Sequence, residues 1–209
     1  TCSTCRSDFR ESIRYLFQNA SLLVVFLLAA ILNLALVGLT IGAPIVVSKH
    51  LGIQSSFVGI IEMAMGLGGH VGSVFVGIWP HLYYFKGICR YVAMICFGVV
   101  PIIVTLLSGP DEFAFAALAA GSAWVMAWAS ITSVEIVSFV QRSAPKELCG
   151  KVLALVYMAL SCATPIGQLV YGLAYDRWTP AIVFAGMLAV LTLTTALFYR
   201  LKSRLWRMS

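Results

Sequence analysis

The stretch ASLLVVFLLAAILNLALVGLTI, residues 20–41, contains no charged side chain. A run of about 20 apolar residues is long enough to cross the roughly 30 Å hydrocarbon core of a bilayer as a helix. Lipid offers no hydrogen-bond partners for the backbone, so such a run must satisfy its N–H and C=O groups internally. We therefore predict that residues 20–41 form a transmembrane helix.

Five further apolar stretches of similar length follow along the chain. Hydrophobic residues make up 61% of the sequence and charged residues 11%, against about half and about a quarter in soluble proteins. The runs are too long and too uniformly apolar for barrel strands. The fold class is therefore predicted to be all-α and polytopic, with spans at Ala20 to Ile41, Ser55 to Ile78, Ile88 to Leu107, Phe113 to Val140, Val152 to Tyr175 and Pro180 to Tyr199.

The basic residues predict which way the six spans point. Only Lys49 and Arg177 of the 14 Lys and Arg residues would lie on one side of the membrane, and the other twelve on the opposite side. Positive residues concentrate on the cytoplasmic side. We therefore expect a cytoplasmic lead-in over residues 1–19, a transmembrane domain over 20–199 and a basic cytoplasmic tail over 200–209.

Composition also argues against several functional classes. The net charge of +6 is explained by topology and contact with anionic lipid, so no nucleic-acid partner is expected. No cysteine falls in an outer loop, and the Cys2-x-x-Cys5 pair lacks a second pair of ligands nearby, so neither disulfides nor a metal site are expected. No nucleotide-binding loop or catalytic triad is present, which predicts that the protein is not an enzyme and needs no cofactor.

A glycine pattern suggests an internal repeat. Gly72 and Gly77 in the second span match Gly167 and Gly172 in the fifth. Because the two three-span groups would begin on opposite sides of the membrane, they would form an inverted-topology repeat. The alternative is that small residues simply allow membrane helices to pack closely.

Two local motifs resemble a known family. The stretch APKELCGKV, residues 144–152, followed by PIGQLVYG, residues 165–172, and Asp176, resembles the region between the tenth and eleventh helices of the major facilitator superfamily. The lead-in DFRESIRYL, residues 8–16, and residues 33–44 are similar to the linker and seventh helix of the branch that contains macrolide exporters and the enterobactin exporter.

The resemblance implies the C-terminal six-helix half of a twelve-helix transporter. The missing N-terminal six-helix half is then an expected partner, and the first residue, Thr1, agrees with a fragment that lacks its upstream part. One motif departs from the family. After its eighth helix the family has Gly-x-x-x-Asp-Arg, whereas here Gly77 is kept and His81 stands in place of the acid, which weakens a gating salt bridge.

Ionisable residues inside the hydrocarbon are costly and mark candidate sites. Glu62, near the middle of the second span, shares a face with Gly66, Gly69 and Ser73. We interpret it as a candidate for proton coupling, the alternative being a hydrogen-bonded carboxyl at a tight helix contact. His70 is more simply interpreted as an interhelical hydrogen-bond partner.

The fourth span carries a stripe of aromatic and acidic side chains. Trp124, Trp128, Ile131 and Glu135 follow at helical spacing, so they share one face. Such a stripe can hold a hydrophobic cation through stacking and cation–π attraction. The alternatives are that the tryptophans are packing residues and that Glu135 pairs with Arg142 or Lys151.

Further polar and bending positions complete the predicted site. Asn33, Ser161 and Thr164 would add polar contacts to a cavity for a small-molecule substrate, and Pro165 with Gly167 would allow a bend for gating. Gly77 and Gly172 are included as gating positions through the repeat.

These observations favour the C-terminal half of a secondary active, proton-coupled exporter in the bacterial inner membrane, an efflux antiporter connected with drug resistance. Its substrates would be bulky amphipathic compounds such as antibiotics or siderophores, a class that comes from the resemblance. The alternatives are a non-transporting six-helix module that assembles with another chain, and an intramembrane enzyme, for which the necessary polar cluster is missing.

Overall fold

Six long helices make up the part of the chain that the computed structural model describes, which is residues 13–52, 54, 56–79, 87–108 and 112–205. No residue in these ranges belongs to a β-strand. A short helical segment at 13–18 precedes the first long helix. The six helices are α1 (Ala20–Ile45), α2 (Ser56–Ile78), α3 (Ile88–Ser108), α4 (Glu112–Ser143), α5 (Lys146–Arg177) and α6 (Pro180–Leu205).

Each helix contains a segment long and apolar enough to cross a membrane. The predicted all-α, polytopic fold class is therefore confirmed, and the protein is an integral membrane protein. The break between the second and third spans, at residues 80–86, lies outside the described residues, as do Cys2, Cys5 and His81.

Most of the helices are longer than the apolar runs predict, and α5 and α1 show how. α5 begins at Lys146 instead of Val152, because Pro145 fixes the backbone just before the helix while Gly150 stays helical. α1 continues past Ile41 and passes into a π-helical turn at Val46–His50, closed by a 2.8 Å bond from Leu51 N–H to Val46 O. The added turns of α5 are mostly polar, whereas those of α1 up to Val47 are apolar.

The contacts of the first three helices match those of the last three. α2 packs mainly on α4, and α5 packs mainly on α1. α3 lies on α4 as α6 lies on α1, and α3 and α6 contact each other. Exchanging the first three helices with the last three therefore reproduces these five contacts, as expected for two inverted three-helix repeats.

The glycines of the predicted repeat lie in matching contacts. Gly72 of α2 is buried against the backbone of Ala127 in α4. Gly167 of α5 is buried against α1, where an added Cβ would lie 3.1 Å from side-chain atoms of Leu34 and Val37. Both glycines thus allow a close helix contact in equivalent interfaces.

Candidate functional site

A cavity of about 340 Å³ lies between α1, α4 and α5, and Ile95 of α3 also lines it. We call it the groove. Most of its lining side chains are apolar, as in typical small-molecule sites. The polar lining residues are Asn33, Thr40, Thr132, Ser133, Tyr157 and Thr164.

The groove lies at the middle of the helices that form it. α1 contributes residues between Ala29 and Thr40, and α5 contributes residues between Val156 and Thr164. Both ranges are central in their helices. Substrate sites of secondary transporters lie at this depth, between repeats, near the midplane of the bilayer.

The structure brings two of the predicted polar contacts together at the groove. Asn33 of α1 and Thr164 of α5 both line it. Ser161 does not, because it lies on the exposed side of α5. The other four polar lining residues were not among the predicted site residues, namely Thr40, Thr132, Ser133 and Tyr157.

The aromatic stripe of α4 lies against α3, away from the groove. Trp124 Nε1 donates a 2.9 Å hydrogen bond to Met94 O, and the Trp128 ring stacks on Tyr91 with centroids 6.0 Å apart. At about 100° per residue, the groove positions Ala129 and Ser133 fall on the opposite side of α4. Both tryptophans therefore contact α3 and lie away from the groove, and Trp124 keeps 42% of its surface exposed. Their contact with substrate stays a prediction.

Glu135 belongs to the same face and is also turned away from the groove. It is 4% exposed, and its carboxylate lies 3.8 Å from the guanidinium of Arg142. Its Oε2 accepts no hydrogen bond within the described ranges. The predicted alternative, pairing with Arg142, is therefore the geometry that Glu135 adopts.

Glu62 and His70 lie on a side of α2 that no described helix covers. Both are exposed, and Glu62 has no ion pair with any described residue. As the Nδ1–H tautomer, His70 donates to Gly66 O at 2.9 Å. The bond satisfies the ring within its own helix, and not between helices as the sequence predicted.

The predicted bending positions differ in their surroundings. Pro165 is exposed within α5, between the groove-lining residues and the C-terminal end of the helix. Gly167 is packed against α1, whereas Gly77 and Gly172 have open space where a side chain would begin. Of these three glycines, Gly167 is the one in close contact with another of the described helices.

The contact between α1 and α5 is closed near the C-terminal ends of both helices by two tyrosines. The Tyr175 hydroxyl donates a 3.0 Å hydrogen bond to Gly38 O, and both groups are buried. An added Cβ on Gly38 would lie 2.6 Å from the Tyr171 ring, and one on Gly42 would meet the Tyr175 hydroxyl. The tyrosines therefore fix α5 to α1 just beyond the groove.

The described residues include no group of three or more His, Cys, Asp or Glu side chains that could hold a metal ion. The sequence matches the family of transmembrane secretion effectors over residues 4–209. No similar protein was found among curated proteins, and none among solved structures. Because the match covers nearly the whole chain, the protein belongs to the transmembrane secretion effector family and is a membrane transporter of the major facilitator type.

Proposed function

We propose that the chain is the C-terminal six-helix half of a secondary active exporter that expels bulky amphipathic small molecules. The observation that carries this proposal is the apolar groove at mid-depth between α1, α4 and α5, with a few polar side chains. A site of this composition suits a ligand with a large apolar surface and few polar groups. In it, Asn33 and Thr164 contact the substrate.

A second body covering α2 and α5 would complete the transporter. Superposing Gly72 on Gly167 places Gly66, His70 and Ser73 of α2 over Ser161, Pro165 and Gln168 of α5. All six positions are exposed. The uncovered faces are thus equivalent in the two repeats, which supports a partner that is itself a six-helix half and contacts both.

Glu62 is the proposed site of proton coupling. A charged side chain facing hydrocarbon costs about 2.5–3.5 kcal/mol even on insertion scales. Its exposed position on α2 therefore favours a location at the contact with the partner half, in reach of water. There the carboxyl can gain and lose a proton as the two halves rock.

Pro165 is the proposed bending point of α5. Proline has no N–H, so the carbonyl one turn earlier, that of Ser161, loses its helical hydrogen bond. The tyrosine contacts fix the outer part of α5, while Tyr157, Leu160 and Thr164 line the groove on the other side of the proline. A bend at Pro165 therefore changes the groove without releasing the outer contact, with Gly167 allowing α1 to stay close.

The orientation is proposed to place both termini in the cytoplasm of a bacterial cell. Cysteines introduced for Lys86 and Lys146 are expected to resist impermeant maleimides added outside intact cells, whereas a cysteine at Lys49 is labelled. Labelling of the cysteines at 86 or 146, together with protection of the one at 49, would show that the orientation is the reverse of the proposed one.

The function is tested with the complete gene product in proteoliposomes. An imposed proton gradient is expected to drive extrusion of an amphipathic dye, and Glu62→Gln is expected to abolish this drive while leaving dye binding unchanged. Ser73→Ala, on the same face of α2, serves as the control. The six-helix chain alone is expected to give no flux. Dye flux through the chain alone would contradict a half-transporter, and a gradient-insensitive complete protein would favour a non-transporting module.

A further inference from the structure

The groove is lined without a single charged side chain from the described residues. Its polar groups are one amide and five hydroxyls. Glu135 lies on another face of α4 and is paired with Arg142. Glu62 lies on the uncovered side of α2, which contributes nothing to the lining. An ion in the groove would therefore find no opposite charge on these walls.

The hydrogen-bonding capacity of the groove is also limited. The hydroxyls of Thr40, Thr132 and Thr164 donate to carbonyls of their own helices at 3.0, 2.7 and 3.1 Å. These three oxygens can therefore only accept a bond from a ligand. The side chains of Asn33, Ser133 and Tyr157 have no hydrogen bond to another described residue and keep both donor and acceptor capacity.

We infer that the groove binds uncharged, mainly apolar compounds that carry a small number of carbonyl or hydroxyl groups, and that it rejects permanent cations and anions. Burying an ion without a partner costs several kcal/mol, whereas an isolated carbonyl or hydroxyl can be satisfied by Asn33, Ser133 or Tyr157. The inference rests on the proposed function, because it names the substrate class of the same site.

The test uses two matched probe pairs that differ in charge. Phenylnaphthylamine is compared with its sulfonate, and diphenylhexatriene with its trimethylammonium derivative. Binding to the complete gene product in nanodiscs is measured by fluorescence titration against empty nanodiscs. Both neutral parents are expected to bind at least about tenfold more tightly than their charged derivatives, which corresponds to about 1.4 kcal/mol.

Substitutions in α4 and α1 test whether the probes bind in the groove. Ala129→Trp fills the groove and is expected to weaken neutral-probe binding at least about tenfold. Ala120→Trp, which places the same side chain on an exposed position of α4, is expected to leave it unchanged. Asn33→Leu keeps the volume but removes the amide, and is expected to weaken phenylnaphthylamine, which has an N–H group, more than diphenylhexatriene.

Each outcome decides the inference. The inference would be overturned if a charged derivative bound more tightly than its neutral parent and Ala129→Trp abolished that binding. It would also be overturned if Ala129→Trp and Asn33→Leu both left the binding of the neutral probes unchanged. Extrusion assays with the same probes separate it from the proposed function. Selective neutral binding without gradient-driven extrusion would support the inference and contradict the exporter. Extrusion of the trimethylammonium probe alone would support the exporter and overturn the inference.

Discussion

The contacts between α2 and α4 and between α1 and α5 are equivalent by the repeat but are built differently. In the first, which we call the closed interface, Gly68 and Gly72 lie directly on the backbone of Ala123 and Ala127. In the second, which we call the open interface, the glycines of α1 lie against tyrosine rings at one end. The groove borders the open interface and not the closed one.

The difference shows how one architecture yields both a rigid contact and a cavity. Glycine against backbone leaves no space between two helices, so the closed interface cannot admit a ligand. At the open interface, the tyrosine side chains hold the C-terminal ends of α1 and α5 together. The middle of the same helix pair is then free to form the wall of a cavity.

The largest effect is expected from Gly72→Ala at the closed interface. The new Cβ would meet the carbonyl of Ala127, which cannot move without shifting α4. We expect a loss of about 2–3 kcal/mol of unfolding free energy, in the upper part of the range for overpacking. Thermal unfolding of the purified chain in detergent measures it.

Gly66→Ala is the matched control for this substitution. It adds the same methyl group on the same helix, but at a position with open space around it. Because alanine is favoured over glycine in a helix by about 1 kcal/mol, this variant is expected to be neutral or slightly more stable. Equal losses from Gly66→Ala and Gly72→Ala would contradict the close backbone contact.

A smaller effect is expected at the open interface. Tyr175→Phe removes the hydrogen bond to Gly38 O and is expected to cost about 1 kcal/mol, since the carbonyl stays buried. Gly42→Ala, whose new methyl meets the Tyr175 hydroxyl, should cost less in the Tyr175→Phe background than alone. Tyr199→Phe, at an exposed tyrosine of α6, is the control. Additive losses in the double variant would argue against this contact.

The smallest effect concerns Glu135 and Arg142 on the side of α4 away from the groove. Arg142 is mostly exposed, so its attraction for the carboxylate is screened and contributes about 0–1 kcal/mol. Arg142→Gln is nevertheless expected to destabilise more than Glu135→Gln, because it leaves a buried carboxylate without its partner. The double variant should match Glu135→Gln. If dye export by the Glu135→Gln variant fell to background, the carboxylate would instead lie in the substrate path.

The helices could be predicted from the sequence because lipid requires long apolar runs, and each run appears directly in the residue order. The start of α6 at Pro180 followed from the proline itself. The extension of α5 to Lys146 was missed because the hydrophobic pattern does not mark polar helical turns outside the bilayer.

The face of α4 was harder to predict than its existence. The tryptophans and Glu135 share a face by their spacing, but spacing does not say which neighbour that face meets. The hydrogen bond from Trp124 to Met94 O, far apart in the sequence, decides it. The groove face of α4 carries only uncharged side chains such as Ala129 and Ser133, so the sequence did not mark it as a candidate site.

The hydrogen bond between Tyr175 and Gly38 joins residues 137 positions apart. At a synthesis rate of about 5–20 residues per second, roughly 7–30 s separate the appearance of its two partners. Gly72 and Ala127 are much closer in the chain, so the closed interface can form while α5 is still being made. The closed interface can therefore form before the open one, and the contact of α1 with the two tyrosines has to wait until α5 has been made.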